Sequence, residues 1–364
     1  MRVLHFYPDK ADMVTRYVDM LVLAMGEYAG TDKACTLSDF KKKVKTWHPD
    51  IVHLHGCWNS STASAASHAL KKGIRYVLSP HGQLESWIIG QNYWRDKLPK
   101  IVAFQRRTIR RAYAIVAMGR MEAGSIGQLG WNRRIEIVHN PLITSTVDER
   151  EAGLAVLSIY RKVLDTNVYP LMKADTVIAL RALIKAGQTR NEQWLDDTEY
   201  STVKELDGGE WRKILLYAYH EKILDTIQSG ISTLNMPAPD VSLPDIPVYL
   251  PHRKSATARL LKSTGHGINA DVAAMLRETR KRVSDHTITI RDLLELSQIL
   301  RRPDIEDNKV INALELSGQT KHAGRIMQVL ADMTGLEEGF MPVPAVKDRQ
   351  IKKIKKTIIK HLEI

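Results

Sequence analysis

Residues 48–59, "HPDIVHLHGCWN", set a His-Pro-Asp step ahead of a short apolar run and close it with Gly56. A run of this length between a proline and a glycine reads as one buried β-strand, "DIVHLH" (50–55). Its histidines admit three readings: metal ligands, a ligand-facing strand end, or buried strand residues. Side chains alternate across a strand, so His53 and His55 share a face. A metal site would need a third and a fourth ligand, and no Cys/His/Asp cluster stands at matching spacing in the sequence. No Asp-x-Asp occurs either, so no metal is expected, and His53 reads as a residue buried against a helix.

Outward from this strand the first 146 residues alternate regularly. "RVLHFY" (2–7) reads as a strand and leads into a helix over roughly Ala11–Tyr28. "ACTL" (34–37) reads as a short strand, followed by a helix capped by Ser38 and running to Trp47. After the central strand comes the small-residue helix "SSTASAASHALKKG", which Gly73 ends. "RYVLSP" (75–80), "YAIVAM" (113–118) and "RIEIVHNP" (134–141) supply further strands, and "RMEAGSIGQLG" a helix stopped by Gly130. Short apolar strands alternating with helices predict an α/β fold, a Rossmann-like, doubly wound parallel sheet covered on both faces.

Beyond residue 146 the period changes. "LAVLSIYRKVL", "DTVIALRALIKAG" and "GEWRKILLYAYHEKILDTIQSG" carry helical spacing with no comparable strands between them. Five prolines (Pro237, Pro239, Pro244, Pro247, Pro251) make 236–252 a proline-rich linker. Helical patterns resume from "NADVAAMLRETRKRV" onward, so 147–364 is expected to be a mostly helical region.

The bulk numbers narrow the function classes. With 44% hydrophobic and 26% charged residues, the 364-residue chain has globular composition. Two cysteines, Cys35 and Cys57, make no disulfide framework and point to a reducing compartment. The charged N-terminus does not read as a signal peptide, and no apolar run has membrane-spanning length. The net charge of +12 favours anionic partners. Its two concentrations are "WRDKLPKIVAFQRRTIRRAY" (94–113) and the C-terminal helix of about 347–364. The latter sets Ile351, Ile354, Ile358, Ile359 and Leu362 in an apolar stripe that could dock on the protein itself or on a bilayer. Nucleic acid is not an expected partner, since no recognition motif accompanies the charge.

In open parallel sheets ligands bind beyond the carboxyl ends of the strands. His55-Gly56 and Pro80-His81-Gly82 both fall on that edge: glycine permits close backbone approach, and histidine supplies a donor or titratable ring. Hydrolase, P-loop and dinucleotide signatures (Gly-x-Ser-x-Gly, Gly-x4-Gly-Lys-Ser/Thr, Gly-x-Gly-x-x-Gly) do not occur.

Four stretches together, "HPDIVHLHGCWN", "YVLSPHGQLESWII", "AYAIVAMGRMEAGSIGQLGW" and "RIEIVHNPLIT", resemble the N-terminal, acceptor-side domain of family 4 glycosyltransferases of GT-B fold, over about residues 1–146. The resemblance implies transfer of a glycosyl group from a nucleotide-sugar to an acceptor hydroxyl, with retained configuration and no essential metal or cofactor. Polysaccharide or glycoconjugate assembly is the implied setting. It implies that His81 faces the donor sugar or its diphosphate and that His55-Gly56 lines the cleft beside Gly82. Glu122 would open the helix after the fifth strand, and Asn140-Pro141 would mark the exit toward the second domain. It further implies a cytoplasmic protein whose basic helices face an anionic membrane surface carrying a glycan or lipid-linked acceptor. The chain departs from the family in two ways. "FYPDKADMV" lacks the expected glycine pair, and no two glutamates stand with seven residues between them. Gly324-Arg325 has no lysine in reach to complete a phosphate clamp, which leaves Arg212-Lys213, beside "DGGEW", as a substitute clamp or as part of an ordinary N-capped helix. A sugar- or partner-binding relative without a donor domain is therefore the alternative reading.

Overall fold

The computed structural model describes residues 1–8, 12–144, 147–237, 239–241 and 267–360. The chain falls into two compact units, Met1–Leu164 and a second that begins at Asp165.

The first unit is built on six parallel strands: β1 (Arg2–Phe6), β2 (Gly30–Ala34), β3 (Ile51–His55), β4 (Arg75–Ser79), β5 (Ala114–Ala117) and β6 (Ile135–Ile137). Their order across the sheet is β2-β1-β3-β4-β5-β6. The direction of winding reverses between β1 and β3, and this switch point is where such sheets open a crevice. Around the strands lie α1 (Asp12–Met25), α2 (Leu37–Thr46), α3 (Ser60–Lys71), α4 (Ser86–Gly90), α5 (Leu98–Lys100), α6 (Arg106–Arg111), α7 (Arg120–Leu129) and α8 (Glu149–Asp165). Alternation divides the strand residues between two cores. Leu4, Phe6, Val52, Leu54, Leu78 and Ile115 pack with α2, α3 and α7 residues such as Phe40, Ala65 and Ile126. Val3, Ile51, Val77 and Val116 pack with Tyr17 and Leu21 of α1 and Val156 and Tyr160 of α8.

The expected elements are present, with three local differences. The second strand is Gly30–Ala34, not 34–37, and pairs Arg2↔Gly30 through Phe6↔Ala34. It is an edge strand held by backbone pairing, so "GTDKA" shows none of the apolar run of a central strand. The next helix is accordingly capped by Thr36, whose hydroxyl accepts from the Asp39 amide, and not by Ser38. The basic stretch is no regular helix. Pro99, which lacks an amide hydrogen, sits between two wide π-type turns at Tyr93–Lys97 and Ile101–Gln105. The unit also extends past residue 146, because α8 lays Ala152, Val156, Tyr160 and Val163 into the sheet core.

The second unit contains α9 (Ala174–Thr189), α10 (Asp197–Lys204), α11 (Gly208–Glu221), α12 (Leu224–Thr233), α13 (Ile268–Ser284), α14 (Ile290–Leu300), α15 (Asp307–Leu316), α16 (Thr320–Thr334) and α17 (Arg349–Lys360). No strand occurs among its described residues. Reciprocal caps start two of the helices, Asp196 with Glu199 at α10 and Thr289 with Asp292 at α14. α9 and α12 cross at two glycines. A Cβ on Gly187 would collide with the Thr226 carbonyl, and one on Gly230 with the Leu183 carbonyl. On α17, Ile351, Ile354 and Ile358 are buried in this unit's own core, so that stripe docks on protein. Of the proline-rich stretch, Pro237 and Pro239 are described. Pro244, Pro247 and Pro251 lie outside the described residues, as does Leu362.

Candidate functional site

On the face of the sheet covered by α1 and α8, the inward row changes character along the strands. Val3, Ile51 and Val77 give way, two residues on, to His5, His53 and Ser79. His5 stands opposite His53 in the register of β1 and β3, and His55 opposite Ser79 in that of β3 and β4. Three imidazoles are thereby packed side by side at the switch point, His5 and His53 fully buried and His55 1% exposed.

The rings bond to one another. His5 Nδ1 lies 3.0 Å from His55 Nε2, and His55 Nδ1 lies 3.0 Å from Nε2 of His81, just past the end of β4. His53 bridges the Tyr160 hydroxyl at 2.6 Å and the Ser79 hydroxyl at 2.8 Å. The Tyr17 ring of α1 stands edge-on to both His55 and His81. Burial holds the ring pKa of His5 down at about 3 and that of His81 at about 4, and pushes those of His53 and His55 well below the ordinary value. All four rings are neutral at pH 7.

His81 sits in a left-handed turn (φ 54°) followed by Gly82 (φ 79°), a conformation costly for a side-chain-bearing residue and held by its surroundings. Glu122, the third residue of α7, accepts from the Gly82 amide at 2.6 Å and from the Met118 amide at 2.8 Å. Burial raises its pKa, and the two amides oppose that shift. Gln83 accepts from the Cys57 amide at 2.5 Å, while its own carbonyl accepts from the Trp58 indole at 2.8 Å. The loops after β3 and β4 are thus tied to each other and to α7.

Of the residues singled out in the sequence, His81 and Gly82 are partly exposed, and His81 Nδ1 has no hydrogen-bond partner among the described residues. His55 and Gly56 are buried beneath them. Glu122 is buried with both oxygens engaged, so it shapes the turn. Asn140 is buried as well; its amide lies 3.4 Å from Met118 Sδ and its carbonyl accepts from the Leu142 amide.

His5, Tyr17 and Tyr160 escape a reading of local motifs. The available signal is positional: His5 is the last inward-facing residue of β1, as His55 is of β3. The sheet also supplies what the sequence spacing lacks, a third imidazole, since nitrogens of His5, His53 and His55 come within 4.8 Å of one another. Both ring nitrogens of His53 and of His55 are hydrogen-bonded, so a cation there would have to displace one of those bonds.

In the helical unit the candidate phosphate clamps are already engaged. Arg212 forms a two-pronged pair with Asp165 at 2.5 and 2.8 Å, and Lys213 bonds Glu210 at 2.8 Å. Asp207 caps the helix by accepting from the Glu210 amide. Arg325 holds Asp348 at 2.6 and 2.8 Å. A Cβ on Gly324 would come within 2.7 Å of the Pro344 carbonyl, so its glycine serves close packing. No helix among the described residues is long and apolar enough to cross a membrane.

Residues 9–141, within the N-terminal unit, match the model of the glycosyl transferase 4-like domain. No curated protein and no solved structure matches the chain.

Proposed function

We propose that this glycosyl transferase 4-like protein moves a glycosyl group from a nucleotide-sugar to an acceptor hydroxyl, with His81 meeting the donor. The observation that carries the reading is the neutral His81 ring on the carboxyl edge of the sheet, its Nδ1 without a hydrogen-bond partner among the described residues. A neutral imidazole at that edge gives a hydrogen bond to a sugar or phosphate oxygen without adding a fixed charge. Gly82 lets the backbone approach the same ligand. The reaction proceeds with retained configuration and without an essential metal, in polysaccharide or glycoconjugate assembly. The acceptor is a glycan or a lipid-linked sugar, and the basic stretch meets an anionic membrane surface on the cytoplasmic side. Trp87, Trp94 and Val102 stand exposed on or beside that stretch, which supports an interfacial contact.

A second reading is favoured by one observation. Arg212 and Arg325 are both committed to carboxylates, so neither is available to a diphosphate leaving group. On that reading the chain binds a sugar or a partner without catalysing transfer.

Calorimetry with a panel of UDP- and GDP-sugars, together with an assay for released nucleoside diphosphate, separates the two. Binding with turnover supports the transferase, and binding alone supports the non-catalytic relative. Binding of no donor removes the transferase and favours the sugar- or partner-binding relative. His81→Ala is expected to weaken binding at least tenfold while leaving the thermal midpoint within a few degrees. Unchanged affinity in that variant would remove His81 from the donor site.

A further inference from the structure

We propose that His5, His55 and His81 form a tautomer relay in which His55, backed by His5, is a positioning residue that fixes His81 as a neutral hydrogen-bond donor at Nδ1. Two contacts of 3.0 Å join the rings in series, His5 Nδ1 to His55 Nε2 and His55 Nδ1 to His81 Nε2. A neutral imidazole carries one N–H and one bare nitrogen, so each contact must match a donor to an acceptor. Burial keeps the three rings neutral, and only two arrangements of protons then satisfy both contacts. In one, every ring is protonated at Nδ1 and the row donates outward. In the other, every ring is protonated at Nε2 and the row donates inward.

The inner end of the row decides between them. His5 Nε2 is buried and meets no partner among the described residues. The inward arrangement would put an N–H there, and buried N–H groups without an acceptor are the rarest exception in folded proteins. The outward arrangement leaves only a bare ring nitrogen at that point. It also leaves His81 with its remaining proton on Nδ1, the nitrogen that has no partner among the described residues. The relay explains why β3 carries a buried histidine at its carboxyl end: the Nδ1–H of His55 donates a hydrogen bond to Nε2 of the partly exposed His81 instead of touching a ligand. His53 stands outside the row, since the Tyr160 and Ser79 hydroxyls hold it. The use of the donated proton rests on the proposed glycosyl-transfer reading, but the tautomer itself does not.

The test is long-range 1H–15N correlation of the histidine side chains in the full chain at pH 7, with the His81 signals assigned by comparison with His81→Gln. The expected pattern is protonation at Nδ1 for His5, His55 and His81 alike. A free histidine in water favours Nε2–H, so this pattern does not arise by default. His55→Phe keeps a ring in the stack and removes both nitrogens. It should return His81 toward the Nε2–H form and weaken nucleotide-sugar binding roughly threefold to tenfold, the scale of one hydrogen bond. Protonation of wild-type His81 mainly at Nε2 overturns the relay, as does one equivalent of zinc in the purified protein. If His55→Phe fails to fold, the wild-type spectrum still decides. If no donor sugar binds the wild type, the functional reading fails while the tautomer assignment stands or falls separately.

Discussion

The two units handle their polar side chains in opposite ways. In the helical unit the conspicuous cations are already paired with carboxylates. Arg212 is paired with Asp165, Lys213 with Glu210, Arg325 with Asp348, and Arg282 with Asp292. In the sheet unit, neutral groups converge on one edge, and the row they form ends at His81 on a nitrogen with no partner among the described residues. The contrast teaches that a candidate binding site is picked out less by the residue types present than by hydrogen-bonding capacity left open. A paired arginine has lost the capacity that an unpaired imidazole keeps.

Acid titration should break this comparison most strongly. Unfolded histidine takes up a proton near pH 6.5, whereas the fully buried His5, His53 and His55 remain neutral in the folded unit to far lower pH. Below pH 6.5 the unfolded state therefore binds more protons, and stability falls as pH falls. Three such groups give a slope of ~4 kcal/mol per pH unit, a large share of a domain's stability. Hydrogen exchange, corrected for intrinsic rates, should show β1 and β3 losing protection between pH 6 and 4, ahead of α9 and α12. Equal loss in both units would remove the distinction.

The next effect in size belongs to the helical unit. Gly230→Leu drives a side chain into the Leu183 carbonyl where α12 crosses α9. It should cost about 3 kcal/mol or more in a denaturant titration, with the His81 ring signals unmoved. The smallest effect tests the role of the paired cations. Arg212→Leu removes a two-pronged pair whose arginine is partly exposed but whose Asp165 is buried, so about 2 kcal/mol of stability is expected to go. Nucleotide-sugar affinity should stay within twofold of wild type. A loss of affinity greater than tenfold would return Arg212 to the donor site.

Much of the sheet unit was legible because its central strands are short apolar runs bounded by proline and glycine. Edge strand β2 was misplaced by several residues, since an edge strand is specified by pairing and not by hydrophobicity. The exposed end of the site, His81-Gly82, could be read from its place after a strand. Its inner end could not. His5 and Tyr160 lie 76 and 79 residues from His81, and nothing local in "RVLHFY" or "LSIYRK" marks either as a neighbour of His55. Cation availability was equally hidden, because Arg212 meets Asp165 from 47 residues away.

The sequence by itself determined the α/β character of the first unit, the helical character of the second and the edge on which His81 stands, since periodicity and strand ends are local properties of the chain. Tertiary structure alone decided which histidines meet, which nitrogen of His81 is left over and which arginines are already bound. Those depend on parallel strand register and on side chains brought together from distant segments, where hydrogen-bond partners are allotted only once the fold has closed.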